Sequence, residues 1–180
     1  MEASWLQTGD PVDWQDFETA SATGKEILER LAGDRSLLRQ LTFTAHDRDG
    51  DRGAGAWTDD GGEVELLADD SMKLFIYLHV GLGNHDGQAS PLPASYVAKV
   101  LTGAYRHVWY AADDGVAYVT HEQPPGLYAM RGGLEHSISW DTQSTALLLR
   151  GARAVTTEPA QLTEDQYVAL RNRADSAGIL

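Results

Sequence analysis

The 180-residue chain contains no cysteine. That absence excludes disulfides, thiolate metal sites, iron–sulfur clusters and a cysteine nucleophile. Positive charge is scarce as well: 14 Lys and Arg stand against 27 Asp and Glu, a formal net charge of −13. With no basic cluster to offset it, such a chain repels phosphate backbones, so neither nucleic acid nor an anionic membrane surface is an expected partner. Long apolar runs are missing. The longest, Leu74 to Leu78 and Ala146 to Leu149, are far too short to span a bilayer. The opening residues Met1-Glu2-Ala3-Ser4-Trp5 carry neither the basic patch nor the apolar stretch of a signal peptide, so a cytoplasmic address is expected.

What is present is an ordinary globular balance, with 42% hydrophobic and 23% charged residues. That supports one domain with a real core rather than a disordered chain. The N-terminal third reads as helical. Asp13 is a candidate cap for a segment through Ala20, and Thr23 with Glu26 three residues on offers a second start. Ile27, Leu28 and Leu31 form an apolar stripe ending at Gly33, whereas at Leu37, Leu38 and Leu41 helix and strand cannot be told apart. Residues 46–62 read as a polar loop rich in Gly and Asp.

From residue 63 the period changes to two. Strands are predicted at Glu63–Leu67, Lys73–Val80, Ser95–Thr102, Ala104–Tyr110, Val116–His121, Leu127–Met130, Leu134–Trp140 and Thr145–Gly151, with turn-rich sequence between them. Short strands at this spacing argue a sandwich or small barrel. Thr163 and Gln166 form a capping box for a C-terminal helix lined by Tyr167, Leu170 and Ala174. The expected organisation is a single domain: a helical region and loop over 1–62, a barrel over 63–155 and a helix within 156–180.

Gly103 after Val100-Leu101-Thr102, and Gly133-Leu134-Glu135-His136 further on, resemble the two signature regions of a cupin, G-x5-H-x-H-x(3,4)-E-x6-G and G-x5-P-x-G-x2-H-x3-N. Gly103 matches the glycine closing the first motif, and Gly133 with His136 matches the G-x-x-H of the second. The stretch from about Lys73 to Val155 also resembles the cysteine dioxygenase-like branch of cupins. The resemblance implies an all-β, jelly-roll barrel with N-terminal helices and one C-terminal helix. It also implies a metal held by two histidines and a glutamate of the first motif and the histidine of the second. Here the glutamate position falls on Tyr96 and the H-x-H positions on Ser90 and Leu92, so only His136 stays in register. Imidazole and carboxylate are the usual ligands of a non-haem iron, and these residues do not replace them. If Pro91-Leu92-Pro93 belongs to a local insertion, His85 in the loop Gly83 to Gly87 becomes a first ligand beside His136.

Strand parity selects the remaining candidates. His136 shares a face with Ile138 and Trp140, and His107 shares one with Tyr105 and Trp109; in such a barrel these faces point inward. His136, His107 and Tyr105 are therefore candidate catalytic groups, with Tyr96 on the same wall; a mixed aromatic core is the competing account. His79 alternates with Phe75 and Tyr77. Together, Tyr77, His79, Trp109 and Trp140 are the candidate substrate-binding residues, an aromatic surface suited to a flat or apolar molecule. Trp5, Trp14 and Trp57 are expected to pack helices onto the barrel or cover its mouth. His46 and His121 are expected to have no role. The acidic run Asp47 to Asp51 resembles a calcium loop but has Thr58 where a bidentate Glu is needed, and a solvated turn is the better account. Gly53-Ala54-Gly55 is no phosphate cradle, and no serine sits in a nucleophile-elbow motif.

Three readings follow. The first is a small-molecule enzyme with an altered or absent metal site that carries out isomerisation, cyclisation or dehydration by acid–base chemistry. The second is a non-haem Fe(II) oxygenase of the cysteine dioxygenase-like kind, with His85 and His136 as ligands. The third is a non-catalytic small-molecule-binding cupin. The cofactor is accordingly either none or Fe(II). Exposed β-edges favour pairing with a second copy, so a homodimer is an expectation.

Overall fold

A computed structural model describes residues 11–48, 55–111, 115–152 and 163–178. In chain order its elements are α1 (Phe17–Gly33), α2 (Arg35–Arg48), β1 (Gly55–Trp57), β2 (Gly61–Asp69), β3 (Leu74–Gly81), β4 (His85–Asp86) and β5 (Ser90–Pro91). There follow β6 (Tyr96–Thr102), β7 (Tyr105–Tyr110), β8 (Val116–Glu122), β9 (Leu127–Met130), β10 (Glu135–Trp140), β11 (Thr145–Arg150) and α3 (Glu164–Ser176). Trp5 and residues 49–51 of the acidic run lie outside the described residues. Among the described residues no helix is long and apolar enough to cross a membrane.

Two antiparallel sheets face each other. One runs β1-β2-β3-β11-β6-β9; the other runs β4-β10-β7-β8, with β5 also paired to β10. The chain changes sheet from β3 to β4, β5 to β6, β6 to β7, β8 to β9, β9 to β10 and β10 to β11, the winding of a jelly roll. Gly103 makes the β6–β7 change possible for two reasons. Its φ is +68°, and a Cβ there would stand 2.6 Å from the backbone of Ser144.

The first sheet is covered on both sides. Ile76, Leu78, Val80, Val97, Leu147 and Leu149 point outward into a core shared with Leu28, Leu31 and Leu38 of the helices. Their neighbours Phe75, Tyr77, Tyr96, Ala98 and Leu148 point inward, towards Trp109 and Met130. That is why every residue of β3 is buried although its side chains alternate. Helix α1 seats itself through Ala20, Gly24, Leu28 and Leu31, spaced three or four apart. Trp14 clamps the segment before α1, its Nε1 donating to the Lys73 carbonyl at 3.0 Å.

Several boundaries differ from the sequence reading. Asp16 caps α1, accepting from the Thr19 N–H at 3.2 Å, and Asp13 instead bonds the Gln15 N–H in the preceding turn. Thr23 and Glu26 lie inside one continuous helix, because burial of the stripe outweighs a local start signal. Leu37 and Leu38 are helical, in α2. The loop expected over 46–62 contains the end of α2, all of β1 and the start of β2. Strands β4 and β5 are two residues each, too short to leave a periodic signal. The capping box at Thr163 and Gln166 forms as expected.

Gly24 and Gly33 make opposite predictions. A Cβ on Gly24 would stand 2.8 Å from Val97, whereas one on Gly33 meets nothing within 4 Å. Gly24→Val should therefore push α1 off the sheet at a cost of about 1–3 kcal/mol. Gly33→Ala should stabilise by about 0.5–1 kcal/mol. Urea midpoints of the two variants check this, and a stabilising Gly24→Val would mean the helix is not seated as described.

Candidate functional site

The interior is built by register between β7 and β10. His136 pairs with Trp109, Ile138 with His107 and Trp140 with Tyr105, so all six side chains share the inward face. Strand β8 adds Thr120 opposite His107 and Tyr118 opposite Trp109. From the other sheet, Tyr128 of β9 and Tyr96 of β6 close on the same region, their rings 6.3 Å apart.

These residues divide into two groups. In the first, His107 Nε2 lies 3.3 Å from the Tyr128 hydroxyl. Its ring is nearly parallel to that of His136, with centroids 6.0 Å apart and planes at 16°. Trp109 sits 6.2 Å from His107 and 5.7 Å from His136. His136 Nδ1 contacts the Ser90 carbonyl at 3.4 Å. In the second group, His79 Nδ1 lies 2.7 Å from the Tyr105 hydroxyl. Trp140 packs edge-on against His79 and stacks on His85 at 3.9 Å. His85 Nδ1 in turn meets Asp60 Oδ2 at 3.2 Å. The structure thus separates Tyr105 from His107 and gives it to His79, while the phenol beside His107 is Tyr128.

Burial sets the protonation states. Desolvation lowers His107 to about 3, helped by the neighbouring His136. It lowers His79 to about 4, against the pull of Glu63 and with the push of Arg150 and His85. His136 is lowered too, by burial, with the Ser90 carbonyl opposing. Burial pushes the phenols of Tyr96, Tyr105 and Tyr128 upward. His79, His107 and His136 and the phenols of Tyr96, Tyr105 and Tyr128 are therefore neutral at pH 7.

Sequence reading passed over a charged pair on the same inner face. Arg150 grips Glu63 through both guanidinium nitrogens, with NH1 to Oε2 at 2.6 Å, and lies over the Tyr77 ring at 5.0 Å. Burial works against the Arg150 charge, but Glu63 outweighs it and the guanidinium is raised. The available signal was parity, since Arg150 alternates with Leu148 and Ala146, and Tyr128 with Met130.

The positions that the cupin resemblance assigns to metal ligands do not offer a matching donor set. Leu92 is buried in the apolar cluster with Phe75, Tyr77, Trp109, Met130 and Leu148. Tyr96 belongs to that cluster, and its hydroxyl donates to Met130 Sδ at 2.7 Å. Ser90 engages His136 through its backbone carbonyl. Nor does His85 join His136. It stands opposite Trp140 while Ser90 stands opposite His136, four residues apart on β10 and therefore about 13 Å along the strand. Among the described residues no group of three or more His, Asp or Glu is arranged to hold a metal ion. One imidazole, a leucine and a phenol turned to a thioether do not fit Fe(II) or Mn(II).

Three buried polar atoms of the interior have no hydrogen-bond partner among the described residues: His107 Nδ1, Trp109 Nε1 and Thr120 Oγ1. An unmet buried polar group costs about 1–3 kcal/mol, so a cluster of them marks a place for water or ligand.

The lowered histidines also make stability depend on pH. Below the ordinary value of 6.5 the unfolded chain binds protons that folded His79 and His107 refuse until about 4 and about 3. Their contribution is complete above pH 6.5 and is lost as pH falls towards those values, at up to ~1.4 kcal/mol per pH unit for each group. Urea unfolding at pH 7, 6 and 5 should show the fall, with a shallower slope in His79→Phe. An equal slope in that variant would show that His79 is not held neutral.

Comparison with family models found no match, and neither did comparison with curated proteins. Among solved structures the chain is similar to an oxalate decarboxylase of Lactobacillus farciminis, with TM-score 0.44, 15% identity, and 54% of this chain and 30% of that one covered. It is similar to hydroxypropylphosphonic acid epoxidase from S. wedmorenis, with TM-score 0.45, 10% identity, and 55% of each chain covered. It is also similar to a cupin superfamily protein of Desulfitobacterium hafniense, with TM-score 0.41, 12% identity, and 53% of this chain and 80% of that one covered. The match therefore spans under a third of the decarboxylase and about half of the epoxidase. The strand order by itself, β3-β11-β6-β9 facing β4-β10-β7-β8, makes the chain a cupin-like jelly-roll barrel.

Proposed function

We propose that the barrel interior carries out acid–base chemistry on a small molecule without a metal, with His107 as the base. One observation supports this above the others: His107 is fully buried, its Nε2 is engaged by Tyr128, and its Nδ1 has no partner among the described residues. A buried imidazole with an engaged nitrogen and an open one has the arrangement of a positioned base.

The reading takes the tautomer in which His107 Nε2–H donates to the Tyr128 hydroxyl, so that the Nδ1 lone pair faces the substrate.

Desolvation makes an isolated imidazolium here costly, as the lowered His107 shows. Proton transfer from a neutral carbon acid does not create an isolated charge, however. It creates an imidazolium beside an enolate, and their attraction is strong where water is excluded. His136, stacked on His107, opposes a second positive charge, so one proton is held at a time and returned to a different atom of the substrate. Isomerisation and dehydration both need such a step.

The donor set described above disfavours the dioxygenase reading. A binding module without catalysis uses the same residues and is separated by experiment. In D2O the protein should accelerate exchange of the methyl protons of 4-hydroxyacetophenone, followed by NMR. His107→Phe should reduce that acceleration by on the order of 10²-fold, and EDTA dialysis should leave it unchanged. Exchange that survives His107→Phe would remove the base. Activity lost to EDTA and restored by Fe(II) or Mn(II) would remove the metal-free mechanism. No acceleration in the wild type would leave ligand binding alone.

A further inference from the structure

The three unpartnered atoms lie on one surface. His107 and Thr120 are directly opposed across β7 and β8, and Trp109 is two residues from His107 on the same face. Their chemistry differs in a way that describes a ligand. An indole N–H only donates, so Trp109 Nε1 calls for an acceptor. In the tautomer of the acid–base reading His107 Nδ1 presents a lone pair and calls for a donor. The Thr120 hydroxyl serves either.

Shape and charge narrow the class further. The rings of His107, His136 and Trp109 are tilted from one another by only 16° to 34°, and Tyr118 stacks on Trp109 at 20°. Near-parallel faces of this kind favour a flat partner. The neighbouring walls are apolar: Phe75, Leu92, Ala98 and Leu148. The cation facing the interior, Arg150, is held on two nitrogens by Glu63 and is not offered to an anion. An ionic ligand in this place would lose its water and gain no counter-charge. Trp109 and His136 keep 8% and 7% of their surface exposed, under the half-exposed Tyr118, so the cluster reaches the outside there.

Resting on the acid–base reading above, we propose that the site takes an uncharged, flat molecule bearing a carbonyl oxygen for Trp109 Nε1 and a hydroxyl or N–H for His107 Nδ1, with Thr120 as the third polar contact. Such a molecule is a hydroxylated aryl ketone or a relative of it, not a free carboxylic acid, phosphate or amine.

The test uses protein labelled with nitrogen-15 in tryptophan, with the Trp109 indole signal assigned by its absence in Trp109→Phe. Probes are 4-hydroxyacetophenone and the longer 4-hydroxychalcone, each compared with 4-hydroxybenzoate. At least one neutral probe should move the Trp109 indole proton downfield, with the Trp140 signal nearly still, and the carboxylate should bind at least tenfold more weakly. His107→Gln should weaken the neutral probe by about tenfold. The wild-type comparison stands even if that variant does not fold. Carboxylate binding as tight as ketone binding overturns the inference, as does an unmoved Trp109 signal at saturation. Failure of both neutral probes to bind also overturns it, leaving buried water as the partner of the three atoms. The outcomes separate from those of the catalytic reading. 4-Hydroxyacetophenone bound at Trp109 without exchange of its methyl protons upholds the ligand class and removes catalysis. Exchange that depends on His107 but prefers charged substrates does the reverse.

Discussion

The sheet formed by β2, β3, β11 and β6 is buried on both faces, and the interior chemistry depends on that constraint. Helices α1 and α2 seal its outer side through Leu28, Leu31 and Leu38. The inner side is sealed by the second sheet. Polar side chains on the inner face must therefore find partners inside or remain neutral. Glu63 and Arg150 answer with a two-point ion pair, His79 and Tyr105 with a short hydrogen bond, and Tyr96 with the sulfur of Met130. Such pairing holds charge in place rather than adding much net stability, since the desolvation cost offsets most of the attraction.

The same constraint gives the interior its electrostatic character. With the cation committed and the histidines lowered by burial, the region around His107 offers lone pairs and N–H groups but no free charge. Leu92 and Tyr96 carry this through at the positions that the motif resemblance would give to donors. They pack with Phe75, Trp109 and Met130 instead. Apolar packing at those positions and neutral histidines beside them belong together, because a buried interior disfavours both a cation and an imidazolium.

Much of the barrel was legible in the sequence because each long strand has one face towards the interior, and the period of two survives in the residue order. Parity alone groups Tyr105 with His107 and Trp109 on one strand and His136 with Trp140 on another, and register then joins the two groups on one face. Strands β4 and β5 were not legible, since two residues carry no period. The start of α1 was misplaced because Asp13 and Asp16 are both good caps, and only packing of the buried stripe chooses between them.

Partners were the larger gap. The sequence marked Tyr105 as the phenol beside His107, but the two are successive inward residues of one strand, and register brings Tyr128 to His107 from the opposite sheet. Likewise Glu63 and Arg150 are 87 residues apart, and only the order β2-β3-β11 brings them together. The sequence by itself determined which side chains share a face of each strand, because that follows from local geometry and an alternating pattern. Which inward side chains touch, which atoms are left without partners, and hence what the interior can bind were decided by tertiary structure. Those outcomes depend on the stacking of two sheets, and no residue's neighbours along the chain specify it.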